Sequence, residues 1–291
     1  MELRNVLTFL KAAQLKNFTQ VAKELDYVPS TVTMQIQQLE TELGFLLFDR
    51  IGKGVELTPL GQEFMDYANE IATISEKVRL LGVTPAKTPG TVRIGVLESL
   101  CGSVLVPRLR RYSLEFPHIS MEIKIGATTD LFTMLKKGEL DLIFILGEKI
   151  MDKDCTSVYE KQEKIVFVAP ANHPLSKKRN TLLRELLQEP MILTEQVGLY
   201  RRALSSLAAM QNLLIEPLIE LNDTQFICEL VAQGLGLSFL PEYSVRKEVE
   251  QGTIAILDTA VQLPYFWAQI FHRKNKWLSP ALKGLIRTMT E

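Results

Sequence analysis

Between Ser30 and Gln38 the chain reads Ser-Thr-Val-Thr-Met-Gln-Ile-Gln-Gln. Apart from Val32 and Ile36, the residues are Ser30, Thr31, Thr33, Met34, Gln35, Gln37 and Gln38, none of them charged. A solvated helix face ordinarily carries Lys and Glu. Ser, Thr and Gln instead offer neutral donors and acceptors of the kind that read base edges in the major groove of DNA. Pro29 precedes them, and the competing reading of the face is a plain polar surface. Further on, Arg50 and Lys53 stand in Asp49-Arg50-Ile51-Gly52-Lys53-Gly54, a glycine-flanked tip whose cations suit phosphates.

A second set of groups could hold a small molecule. Ser99, Leu100 and Cys101 follow one strand pattern, Thr128 and Thr129 follow a second, and Thr194 follows a third. Ligands of open α/β sheets sit at the carboxyl ends of strands, near helix N-termini. Hydroxyls and backbone N–H groups there make a natural anion site, although Glu98 and Cys101 are unusual in a pocket for a carboxylate. The competing reading of Thr128 and Thr129 is a simple helix cap.

Catalytic patterns are not found. The chain has no GxSxG, P-loop or HExxH. Two of its three histidines, His118, His173 and His272, abut a proline. Gly234-Leu235-Gly236 ends a helix and opens a strand, the reverse of the order that cradles a pyrophosphate. Cys101, Cys155 and Cys228 are odd in number and far apart, so the expectation is idle reduced thiols, with no metal and no cofactor. Glu2 and Arg4 precede only a short apolar run broken by Lys11, and no run reaches membrane-spanning length. The expected location is the cytoplasm.

The elements that position the first set are legible in order. Leu3, Val6, Leu7, Leu10 and Ala13 form one face of a first helix. Phe18, Val21, Ala22 and Leu25 form that of a second, with Thr19 as its N-cap. Asp26-Tyr27-Val28 is a turn, and Pro29 opens a third helix. There Val32, Ile36, Leu39 and Leu43 make the buried stripe and Gly44 the stop. Phe45, Leu47, Phe48 and Leu57 flank the hairpin, and Thr58-Pro59 opens the next helix. Helix, turn, helix and wing make a DNA-binding winged helix-turn-helix over residues 1–60.

Charge speaks against easy DNA binding. The 291-residue chain has a net charge of −1, with 46% hydrophobic and 23% charged residues. Residues 1–60 hold six basic side chains (Arg4, Lys11, Lys16, Lys23, Arg50, Lys53) against seven acidic ones (Glu2, Glu24, Asp26, Glu40, Glu42, Asp49, Glu56). Binding must then rest on local placement, helix N-termini and more than one copy of the domain. Residues 61–82 offer the means of pairing. Phe64, Tyr67, Ile71, Ile74, Val78 and Leu81 are spaced as an a/d seam, predicting a dimerising linker helix; a surface helix on a globular core is the alternative. Two prolines and a glycine make 83–90 a hinge.

The first segment resembles the N-terminal domain of the LysR-type transcriptional regulators. The match is carried by Leu7, Phe9, Phe18, Thr19, Ala22, Leu25, Val32, Thr33, Gln35, Ile36, Leu39, Glu40, Leu43, Gly44, Leu47, Phe48, Arg50, Leu57, Thr58 and Gly61. Departures from the family pattern are Val28 at the recognition-helix cap, Thr33-Met34 before Gln35, and Val21 before Ala22.

From residue 91 onward strands alternate with helices, predicting βαβ units and a parallel sheet. Thr91–Val96, Ile119–Ile125 and Leu140–Leu146 read as strands, and Val104–Phe116 and Thr129–Lys137 as helices. A second unit starts at Lys164–Ala169. Leu105-Val106-Pro107, Phe116-Pro117, Gly126, Gly138-Glu139-Leu140-Asp141, His173-Pro174-Leu175 and Gly234-Leu235-Gly236 with Leu240-Pro241 resemble the effector domain of the same family. That domain is similar to the two-lobed periplasmic binding proteins. The resemblance implies lobe I over 91–162 and 265–291 and lobe II over 163–264, with crossings near Glu160–Lys164 and Leu263–Phe266. It implies a sequence-specific regulator, not an enzyme, binding double-stranded DNA at a dyad-symmetric promoter site. A small-molecule effector would sit between the lobes, the assembly would be a homodimer or homotetramer, and RNA polymerase would be a further partner. The alternative function is a small-molecule binding module with weak or partner-dependent DNA binding.

Overall fold

A computed structural model describes residues 1–51, 54–79, 84, 89–262, 265–274 and 276–291, with only the backbone of Arg50 and Ile51. The expected hinge over 83–90 lies largely outside them. The chain divides into two compact units, Met1–Thr88 with Asn275–Ser279, and Pro89–Lys274 with Pro280–Glu291.

In the first unit, helices α1 (Leu3–Leu15), α2 (Phe18–Glu24) and α3 (Pro29–Leu43) precede the hairpin β1 (Phe48–Ile51) and β2 (Gly54–Leu57). Helix α4 (Pro59–Arg79) follows. The cap of α2 is Asn17 rather than Thr19. Its side chain accepts from the N–H groups of Thr19 at 2.9 Å and Gln20 at 3.2 Å, so Thr19 already lies inside the helix. The turn to α3 needs Asp26 in the left-handed region (φ 55°), which Asp tolerates better than most residues. Val28 and Pro29 then open α3, and Gly44 (φ 80°) closes it.

One core joins these pieces. Val6, Phe9, Ala12, Val21, Ala22, Val32, Ile36, Leu39, Leu47, Phe48, Val55, Phe64 and Ala68 are all buried. Phe9 lies 5.1 Å from Phe64 and 5.4 Å from Phe48, ring centre to ring centre. Thr58 caps α4, its hydroxyl donating to the Leu46 carbonyl at 2.7 Å and accepting from Gly61 N–H at 2.9 Å. The Leu47 carbonyl oxygen occupies the space a Cβ on residue 61 would need, which is why glycine stands there.

The second unit holds β3 (Gly90–Val96), α5 (Glu98–Leu100), α6 (Leu109–Glu115), β4 (Ile119–Ile125), α7 (Thr128–Lys136), β5 (Leu142–Gly147) and β6 (Cys155–Pro170). There follow α8 (Leu183–Leu186), β7 (Met191–Leu193), α9 (Leu199–Met210), β8 (Pro217–Glu220), α10 (Thr224–Ala232) and β9 (Ser238–Pro241). The chain ends with α11 (Glu242–Glu250), β10 (Ile254–Ile256), β11 (Tyr265–Arg273) and α12 (Pro280–Thr290). The sheet is mixed, not parallel. Strands β4, β3 and β5 pair in parallel, but β11 lies antiparallel between β5 and β6. The sixteen-residue β6 serves two lobes. Cys155 to Lys164 pair with β11, and from Ile165 onward the strand pairs with β9 and β10. Helical structure begins at Glu98 instead of Val104. A π-turn over Cys101–Leu105 and a 3₁₀ turn over Val106–Arg108 precede α6. Pro107 has no N–H to donate and crowds the carbonyl four residues back, so the helix widens before it.

Candidate functional site

The α3 face splits as its residue types require. Ser30, Met34 and Gln37 are exposed, with Thr31 and Thr33 partly so. The Thr33 hydroxyl donates to the Pro29 carbonyl at 3.1 Å, which leaves its oxygen as an acceptor. Gln35 must be removed from the reading face: it is 4% exposed and its side-chain oxygen accepts from the Thr8 hydroxyl at 2.7 Å. One residue before Ile36 and four before Leu39, it belongs to the stripe that packs on α1. Gln38 stays exposed, accepting from the Asn5 amide at 3.5 Å.

The wing is tied to α3 by a carboxylate. Glu40 accepts from the N–H groups of Leu47 at 2.7 Å and Phe48 at 3.3 Å. Arg50 pairs through its backbone with Val55, and Lys53 lies outside the described residues. On α4, Phe64 is core and cannot be a seam residue. The helix turns Gly61, Phe64 and Ala68 inward. Tyr67, Ile74 and Val78 stay 58%, 58% and 62% exposed along one stripe, with Ile71 half-buried beside them and Leu81 outside the described residues.

In the second unit, β3 and β4 run side by side, so the segments holding Ser99 and Thr128 leave adjacent strand ends. The two behave differently. Thr129 is exposed and Thr128 half-buried, and neither caps α7, whose N-cap is Ala127. Ser99, Leu100 and Cys101 are buried. The Ser99 hydroxyl lies 2.9 Å from the Tyr243 hydroxyl, on the other lobe. Next to it, Glu98 reaches the N-terminus of α10. Its carboxylate accepts from the Thr224 N–H at 3.2 Å and the Thr224 hydroxyl at 2.7 Å. The Tyr200 hydroxyl, on α9, joins at 3.4 Å from that of Thr224. Burial pushes the Glu98 carboxyl above its ordinary range, opposed by the two Thr224 hydrogen bonds and aided by nearby Asp223.

Thr194 is buried, and its hydroxyl finds no partner among the described residues. It lies at the N-cap Gly198 of α9, a helix without a side-chain cap. Arg201 on the same helix is 4% exposed with Nε and one terminal nitrogen likewise unpartnered, and burial lowers its pKa. Unpaired polar groups at such depth are costly, and they mark sites where a ligand or water completes the bonding.

Residues 3–62 match the family model described as bacterial regulatory helix-turn-helix protein, lysR family, and residues 86–291 match the LysR substrate binding domain. The chain belongs to the LysR family of transcriptional regulators. Among its relatives is the uncharacterized HTH-type transcriptional regulator YwqM of Bacillus subtilis, 33% identical over 98% of this chain and 97% of that one. The HTH-type transcriptional activator CmpR of Synechocystis is 28% identical over 93% and 89%. Among solved structures, a full-length OxyR variant from Pseudomonas aeruginosa aligns with a TM-score of 0.71 at 22% identity, covering 99% of this chain and 97% of that one. Full-length BenM gives 0.53 at 24%, covering 99% and 95%. These structures share the fold.

As a LysR regulator the chain is a DNA-binding transcriptional regulator with a substrate-binding domain. Regulators of this type bind DNA and small-molecule effectors and form oligomers. Among the described residues no helix is long and apolar enough to cross a membrane. Sequence reasoning passed over Tyr200, Arg201, Thr224 and Tyr243, and met Glu98 only as an oddity. Each is an ordinary helix residue until the fold brings two lobes together. Only Asp223-Thr224, a capping pair at a helix start, carried a local signal.

Proposed function

We propose that this LysR regulator is an effector-responsive switch on a dyad-symmetric promoter site. Two winged domains pair through Tyr67, Ile71, Ile74 and Val78 and present Pro29, Ser30, Thr31, Thr33, Met34 and Gln37 to the major groove. Arg50 and Lys53 meet phosphates. A small molecule held between the lobes shifts the assembly between arrangements, which it can do only by binding one of them better. The observation that carries the reading is the exposed apolar stripe on α4 together with an open, uncharged face on α3. A pair of reading heads supplies the DNA affinity that a domain with more acidic than basic residues lacks alone. The unpartnered Thr194 hydroxyl supports a ligand in the cleft, with Ser99, Leu100, Cys101, Thr128 and Thr129 on its lobe I side. The protein acts in the cytoplasm and works with RNA polymerase.

The test is an electrophoretic shift of the full-length protein on the promoter beside its own gene, with and without metabolites that raise its melting temperature. A discrete complex whose migration or affinity changes with one metabolite is expected. Metabolite binding without any specific shift would favour the reading as a small-molecule module instead. In the same assay, Thr129→Val should keep ligand-free DNA affinity and blunt the metabolite response.

A further inference from the structure

The α10 N-terminus is occupied by the chain's own carboxylates. Asp223 accepts from the N–H groups of Gln225 and Phe226, both at 2.9 Å, and Glu98 crosses from lobe I to accept from Thr224. The first three donors of a nine-residue helix are thereby filled, and two carboxyl groups already stand where an incoming anion would bind. The contact is half-buried: Thr224 is 2% exposed and Glu98 partly so, and Ser99 and Tyr243 form a second, buried cross-lobe bond beside it.

We propose that Glu98 is a tethered anion that sets which effectors the cleft accepts. It holds the lobes together over α10 and leaves no donor there for a carboxylate or phosphate. Effectors must therefore be neutral or cationic at that end. This rests on the reading of the cleft as the effector site, but its test does not require the effector.

The probe is acetate, titrated against the full-length protein with sodium chloride at equal ionic strength as control. Hydrogen exchange at the Thr224 amide is the readout. In the parent, acetate should change nothing beyond chloride. Glu98→Ala should exchange that amide about tenfold faster, and acetate should restore protection saturably by entering the vacated place. Glu98→Gln keeps the shape and one acceptor oxygen but not the charge. It should show intermediate protection and no rescue by acetate, and it serves if Glu98→Ala does not fold. Parent-like exchange in Glu98→Gln and Glu98→Ala, or saturable acetate protection of α10 in the parent, would overturn the proposal. Failure of the cleft reading would be seen elsewhere, as a metabolite response that survives a disulfide locking the two lobes together.

Discussion

The Thr8 hydroxyl donates to the side-chain oxygen of Gln35 at 2.7 Å, with both residues buried. The bond fastens α1 to α3 and divides the glutamines of α3 by task. Gln35→Ala leaves a buried hydroxyl without its acceptor and should cost about 1–3 kcal/mol of stability while sparing base preference. Gln37→Ala should do the reverse, lowering specific affinity by about 1–3 kcal/mol with little effect on random DNA. Denaturant melts together with titrations on specific and random duplexes separate the two. Equal losses on both duplexes for Gln37→Ala would remove it from the base contacts.

Glu40 holds the wing by two backbone N–H groups, so its loss should be felt at residues it never touches. Glu40→Ala is expected to destabilise the winged domain by about 1–3 kcal/mol. It should also weaken the salt-dependent part of DNA binding. Arg50→Ala should reduce affinity for specific and random DNA alike and lower the salt slope by about 1, with stability unchanged. A Glu40→Ala protein with the parent's melting curve and salt slope would show the tether to be idle.

Phe64 and Ile74 lie on one helix but in different environments. Phe64→Ala opens a hole beside Phe9 and should cost about 3–5 kcal/mol. Ile74→Asp alters an exposed position and should leave the monomer's fold intact, while the mass in light scattering falls, because a charge cannot be buried in a seam without a partner. Unchanged mass would dismiss the stripe as an interface.

The thiols should be inert. Burial raises the Cys101 thiol and pushes Cys155 up to about 11 and Cys228 up to about 12. The thiolate is the reactive form, so iodoacetamide should label the folded protein slowly near neutral pH and the unfolded chain fast. The sign of the linkage follows. Unfolded cysteine ionises near 9 while the folded thiols keep their protons, so stability should fall as pH rises from about 9 toward 12. Rapid labelling of native Cys228 would contradict its burial.

The winged domain was readable because its signals are local. A proline at the start of α3, a glycine at its end and a stripe of four apolar residues lie within a few turns, although the cap of α2 was read two residues late. The same locality misled where a partner comes from elsewhere in the chain. Nothing near Gln35 announces Thr8, twenty-seven residues earlier, and nothing near Phe64 announces Phe9. In the second unit most strands were legible from their apolar runs, but the polar first half of β6, Cys155–Glu163, was not, and neither was the pairing. That β11 runs antiparallel between β5 and β6 is decided by contacts over a hundred residues apart. The cross-lobe bonds of Glu98 and Ser99 are further still from any local pattern, and only the fold supplies them.

The place of β11 between β5 and β6 also fixes an order of assembly. Lobe II is complete within the stretch from Ile165 to Ala260, whereas lobe I waits for the strand that joins β5 to β6 until Arg273 has emerged. It then waits for α12, whose Ala281 carbonyl receives the Tyr112 hydroxyl and whose Gly284 gives room to Phe116. During synthesis the half-built sheet β3, β4 and β5 must persist with an open edge while some hundred residues are added. Pairings of such separation are slow to form and prone to meet another chain first. Strand β11 and helix α12 therefore act as a kinetic seal, and a chain released before they are made would carry one finished lobe and one exposed, aggregation-prone sheet.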